Sequence, residues 1–130
     1  MMIWWMTNFT IDKIKNMNIK EISEIENINK VLMDLNLGPK KLILVTLGSK
    51  GVVAHEKSKC YFIEAHKVVA VDSTGSGDCF VGAIAHSLLG GKSLQDACHF
   101  ANKASAVSVT KKGASASMPT LKEVEAFSFL

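Results

Sequence analysis

The spacing of apolar residues changes along this chain, and each change predicts an element. Between Ile11 and Leu37 the chain mixes Lys, Glu and Asn with apolar side chains. Within it Ile22, Ile25, Ile28, Val31, Leu32 and Leu35 recur at three- and four-residue steps, one apolar stripe of a helix that Gly38-Pro39 ends. The texture then shortens. Leu42 to Thr46 is a compact apolar run with Ile and Val, read as a buried strand and broken by Gly48 and Gly51. Val52 to His55 and Cys60 to Ile63 flank the polar stretch EKSK and predict a hairpin, and Val68 to Val71 predicts a further strand.

Beyond Asp78 the pattern lengthens again. CFVGAIAHSLLG is apolar and rich in small residues, a helix beginning near Gly77 or Asp78 and ended by Gly90-Gly91. Ser93 with Asp96 three residues on reads as a capping box before LQDACHFANKASAVSV, and Thr120 with Glu123 repeats the signature before a short terminal helix. Strands followed by two substantial helices favour an α/β layered fold over an all-helical one. The expected organisation is a helical, partly irregular segment over 1–40 and a second portion over 41–130.

Composition narrows the class. The 130 residues are 48% hydrophobic, enough for one modest core. Fifteen Lys plus Arg against 12 Asp plus Glu gives a net charge of +3, weak grounds for a nucleic-acid partner. Cys60, Cys79 and Cys98 are odd in number and widely spaced, which argues against a disulfide framework or a Cys-x-x-Cys metal knuckle and for a reduced, cytoplasmic setting. The opening MMIWWM is too brief for a membrane span or signal peptide, so the chain reads as soluble, with no membrane partner. Asn8-Phe9-Thr10 matches a glycosylation sequon without a secretory signal, and Trp4 and Trp5 suit a hydrophobic edge or a partner surface. His55, His66, His86 and His99 do not have a zinc-ligand spacing and read as core or surface residues.

The chemistry concentrates at Asp72-Ser73-Thr74-Gly75-Ser76-Gly77-Asp78, between a strand-like run and a helix-like run. A helix starting here leaves its first amides unpaired and aimed at the preceding turn. Gly75 and Gly77 admit dihedrals closed to other residues and let the backbone approach a ligand, and Ser76 is small. Together these make an anion cradle at the positive end of a helix. Asp78 has two readings, a helix cap or a general base beside the cradle. Asp72 likewise suits either a turn cap or a cation ligand. A Walker A loop is excluded, because Gly91-Lys92-Ser93 lacks the upstream glycine and follows a helical segment; Lys92 is assigned to solvent. Cys60, Cys79 and Cys98 read as core or surface residues, although Cys79, in the first helical turn, sits where a thiol pKa can be lowered.

VDSTGSGDCFVGAI resembles the C-terminal signature of the ribokinase family of carbohydrate kinases, and VTLGSKG and FANKASAVSVTKKGASASMP extend the likeness over roughly Val31 to Leu130. The resemblance implies the C-terminal part of a layered α/β/α sandwich, with the family's lid and N-terminal half absent, and without a clear counterpart of the family's Asn-x-x-Glu element. It implies ATP-dependent phosphoryl transfer to a sugar hydroxyl, D-ribose above the fructose and adenosine of related kinases. Asp78 would be the base and the contact to the sugar, and Gly75, Ser76 and Gly77 the anion hole. Thr46, Leu47, Gly48, Ser49, Lys50, Gly51, Gly77, Asp78 and Asn102 would border the nucleotide. Asp72, Thr74, Ser108, Lys111, Gly113 and Ser117 would hold a monovalent cation, usually K+, several through backbone carbonyls, and Mg2+ would accompany ATP. Without the resemblance, Asn102 reads equally as surface solvation and Lys111-Lys112 as a helix C-terminus. The implied partners are nucleotide and sugar, with a homo-oligomer or a complementary chain completing the site.

Overall fold

The computed structural model describes residues 19–34, 42–56 and 59–128. Trp4, Trp5, the sequon, Leu35 and Gly38-Pro39 lie outside them. In chain order the elements are α1 (Ile19–Asp34), β1 (Leu42–Thr46), β2 (Gly51–Glu56), β3 (Lys59–Glu64), α2 (Ser76–Leu89), α3 (Leu94–Val109) and α4 (Leu121–Ala126), with single 3₁₀ turns at Gly48–Lys50 and Ser115–Ser117. The described residues form two compact units, one containing α1 with 42–45 and 53–62, the other containing 46–52 and 63–128.

In the first unit Ile25 and Leu32 of α1 are buried, but Val31 is exposed. At 3.6 residues per turn it stands about 100° around the helix from Leu32, off the apolar face. Val53, Ala54, Cys60 and Phe62 are buried there too. The strands form one sheet in the order β1-β2-β3. Connections this short join only antiparallel neighbours. From Gly51 to His55 the central strand β2 is buried at every position, so both of its faces are covered, which explains the apolar run Val52 to Ala54.

In the second unit α2, α3 and α4 share a small core of Cys79, Ala104 and Val124, with Ala83 and Phe100 against it. Alanines at 97, 101 and 104 are buried and let helices approach closely. Ser93 Oγ accepts from Asp96 N at 3.2 Å, half of the expected box. The reciprocal bond forms at α4, where Glu123, one methylene longer, reaches back to Thr120 N at 2.6 Å.

The expected strand at Val68–Val71 is not one. The segment is irregular, Val69 is 73% exposed, and Val71 N and Asp72 N both donate to Val109 O at the end of α3. A strand is a pairing rather than a propensity, and this run meets a helix end among the described residues instead of a strand edge.

Candidate active site

The site is built on the junction between residues 65–75 and α2. Asp72 anchors it: Oδ1 accepts from Thr74 N and Oδ2 from Gly113 N, each at 2.9 Å. The Thr74 hydroxyl, then the Gly113 and Thr74 amides, hold its carboxyl down to about 2. Asp72 therefore does cap its turn, and it also ties that turn to a loop 41 residues away.

Gly75 follows with φ of 80°, a left-handed conformation, and its O accepts from Cys79 N at 2.9 Å. A Cβ on Gly75 would come within 3.2 Å of Ala114 Cα and 3.3 Å of Met118 Cε. Gly77 differs from expectation. Its φ is not positive, and a Cβ there would meet nothing within 4 Å. Its missing side chain leaves open space, not conformational freedom. Ser76 N donates to Ser73 O, whereas the Gly77 and Asp78 amides have no acceptor among the described residues.

Asp78 does not cap the helix. Gly75 holds the N-cap position, with no side-chain cap bond, and the exposed Asp78 carboxylate has no hydrogen-bond partner among the described residues. The carboxylate is thus available for chemistry.

Two cavities adjoin this turn. One, of about 350 Å³, is lined by Thr46, Gly48, Ser49 and Gly51 from the β1–β2 connection, by Ser76 and Gly77 of α2, and by Asn102 and Ser105 of α3. The other, of about 310 Å³, is lined by Asp78, Gly82, His86, Phe100 and Met118 among others and is mostly apolar. Leu47 and Lys50 stand beside the first cavity without lining it; Leu47 N closes the turn on Gly51 O at 2.8 Å and Lys50 O accepts from Ala65 N at 3.2 Å.

Asn102 is not a solvating surface residue. It is 5% exposed, and Nδ2 donates to Ile63 O and Glu64 O, both at 3.1 Å, pinning α3 to the end of β3. Gly51 is packed as tightly, since a Cβ there would lie 2.1 Å from Ile63 O.

Of the positions expected around a cation, Asp72, Thr74 and Gly113 are joined. Ser108 Oγ instead donates to Ser105 O at 2.8 Å, Ser117 Oγ to Ala114 O at 2.7 Å, and Lys111 Nζ reaches Glu123 Oε1 at 2.6 Å. Lys111 directly follows the α3 cap at Thr110 and serves both: its amide donates to Ser108 O at 3.2 Å in the last helical turn, and its side chain makes this ion pair. Asp72, Thr74, Ser108 and Ser117 offer oxygen donors, a carboxylate with hydroxyl and main-chain oxygens, the donor type that suits a hard cation.

Cys79 is a buried thiol as a core reading expects: burial raises its pKa against an opposing interaction with the Ser108 hydroxyl, and burial likewise lifts Cys60 to about 11 and Cys98 to about 12. Lys92 is exposed but not idle, with Nζ 4.5 Å from the Phe100 ring centre. Sequence reasoning passed over Ser105 and Lys67, which both line the 350 Å³ cavity. A lone Lys67 in the apolar run after β3, and the three-residue step from Asn102 to Ser105, were the available signals.

A family profile described as pfkB family carbohydrate kinase matches residues 6–121. The chain belongs to that family. Among pfkB relatives, the ribokinase of Schizosaccharomyces pombe is 41% identical over 105 residues, covering 78% of this chain and 32% of its own length. Fructokinase-1 of rice is 37% identical over 122 residues, covering 88% and 38%. The structure of Cryptococcus neoformans ribokinase in complex with ADP superposes with a TM-score of 0.73 at 32% identity, covering 85% of this chain and 36% of that one. The fold is therefore part of a ribokinase-like α/β domain, and the chain spans about a third of the length of these relatives. Among the described residues no helix is long and apolar enough to cross a membrane.

Proposed function

We propose that this pfkB chain serves ATP-dependent phosphoryl transfer to a sugar hydroxyl, with Asp78 as general base and the turn of Gly75, Ser76 and Gly77 as anion hole. One observation carries the reading: the first turn of α2 borders both cavities, with Gly77 lining one and Asp78 the other. Phosphoryl transfer needs donor and acceptor oxygens roughly in line on opposite sides of phosphorus. The free Gly77 and Asp78 amides suit the charge that develops on the equatorial oxygens. The unpartnered Asp78 carboxylate suits removal of the acceptor proton.

ATP belongs to the 350 Å³ cavity, bordered by Thr46 to Gly51, with Asn102 fixing the wall where the base would lie. The ADP complex of the Cryptococcus relative supports a nucleotide here. Asp72, Thr74, Ser108, Lys111, Gly113 and Ser117 would hold K+, which supplies positive charge behind the anion hole when bound. Among the described residues no group of three His, Cys, Asp or Glu converges, so no side chain is assigned to Mg2+, which would arrive on the nucleotide phosphates. D-ribose is the favoured acceptor on the extended ribokinase likeness; the fructokinase match supports D-fructose as the alternative. The free buried thiols are consistent with a reducing compartment such as the cytoplasm.

A second reading is a nucleotide-binding module that turns over only as a homo-oligomer or with a complementary chain. It is favoured by Val69, Val71, Val81 and Leu89, large apolar side chains left exposed in the unit that carries both cavities.

The test is ADP formation by the purified chain with magnesium ATP and K+, with ribose, fructose or no sugar, against Asp78→Asn. Sugar-dependent turnover that falls at least about 100-fold in the variant is expected. Turnover that ignores sugar, or survives in Asp78→Asn, sinks the catalytic assignment. Activity that emerges only on adding the complementary portion of a relative selects the second reading.

A further inference from the structure

Asn102, Ser105, Ala106 and Val109 line the 350 Å³ cavity from α3, at the three- and four-residue steps that place side chains on one helix face. The polar pair on this face ties down two separate walls. Asn102 holds the end of β3, and Ser105 Oγ donates to Ser76 O at 3.0 Å across 29 residues of chain.

The second bond acts on the anion cradle through the peptide plane. Ser76 C=O and Gly77 N–H belong to one planar trans peptide and point in opposite directions. Fastening the carbonyl toward α3 therefore aims the Gly77 amide away from it, out of the helix N-terminus. That amide has no acceptor among the described residues. The first turn of a helix is the part that frays, and this one enters from Gly75 and contains Gly77, two residues that restrain the backbone least. A tether from a neighbouring helix sets the amide direction before a ligand arrives, so less ordering cost falls on binding.

We propose that Ser105 is a positioning residue that holds the Gly77 amide on the nucleotide phosphate without touching phosphate itself. The inference rests on the reading of the 75–77 turn as a phosphate cradle. Calorimetric titration of ADP and adenosine into the wild-type chain, Ser105→Ala and Ser105→Thr tests it, with circular dichroism confirming that each variant is folded. Ser105→Ala is expected to weaken ADP about fivefold, because an ordering cost on the scale of one neutral hydrogen bond then falls on binding, with adenosine unchanged. Ser105→Thr keeps the hydroxyl and is expected to return ADP affinity to within about twofold of wild type. Wild-type ADP affinity in Ser105→Ala, an equal loss for ADP and adenosine, or a folded Thr variant as weak as Ala overturns the inference alone. A wild-type chain that binds ADP no better than adenosine defeats the cradle reading itself, and the inference with it.

Discussion

Gly75 and Gly77 stand two residues apart in the same turn, and their reasons for being glycine are opposite. Gly75 needs its positive φ and has Ala114 and Met118 against the position a Cβ would take, so Gly75→Ala meets strain and crowding together. Gly77 has neither problem. Its alanine variant is expected to fold normally and melt no lower than wild type, since Ala is the better helix residue. The new methyl would stand in the open space at the cradle, so ADP affinity is expected to fall at least about tenfold while adenosine binding persists. Melting curves and ADP titrations of both variants check this: Gly75→Ala should lose about 1–3 kcal/mol of stability, and Gly77→Ala only its phosphate affinity. Full ADP affinity in Gly77→Ala would remove that residue from the cradle.

At the level of elements, α3 organises the candidate site although it lies outside the DSTGSGD turn. Its N-cap hydroxyl starts it, buried alanines seat it, and Asn102 fixes it to the sheet end by two amide hydrogens. Asn102→Ala strands the Ile63 and Glu64 carbonyls and is expected to cost about 1–3 kcal/mol, read as a lower urea midpoint at unchanged slope. An unchanged midpoint would mean that solvent replaces the amide without loss. The elements also show where pattern reading works. The stripe on α1, the capping signature of α3 and the alternation of breaks around β1 to β3 were legible because helices and hairpins satisfy themselves locally. Val68–Val71 was misread because a strand depends on a neighbour that local sequence does not specify.

For the molecule as a whole, two carboxylates bind distant parts of the second unit together. Asp72 joins the 72–74 turn to Gly113, and Glu123 joins α4 to Lys111, its carboxyl lowered to about 2 by Lys111 and then by the Thr120 amide and hydroxyl. Folded-state values below the ordinary 3.8 and 4.5 mean that unfolding takes up protons. Their contribution is thus complete above about pH 5 and is lost as pH falls through 4 toward 2. Both groups lie near solvent, so the effect should weaken in high salt. Stability measured from pH 6 to pH 2 is expected to decline over that acidic window, with a shallower decline in Asp72→Asn. An identical slope in the variant would deny Asp72 its part.

Sequence alone determined the elements that close their own hydrogen bonds, the family through DSTGSGD, and the glycine-bearing turn with its adjacent acid, because these depend on residues within a turn or two of each other. Tertiary structure decided what those residues face. It made Asn102 a buried strut, took the cap from Asp78 and left that carboxylate free, turned Gly77 into an opening, and set Ser105 against a carbonyl 29 residues away. The Asn102 and Ser105 outcomes are contacts between segments distant in the chain, and the freedom at Gly77 and Asp78 is the lack of one; residue identity fixes what a side chain can bond to but not what packing brings within its reach.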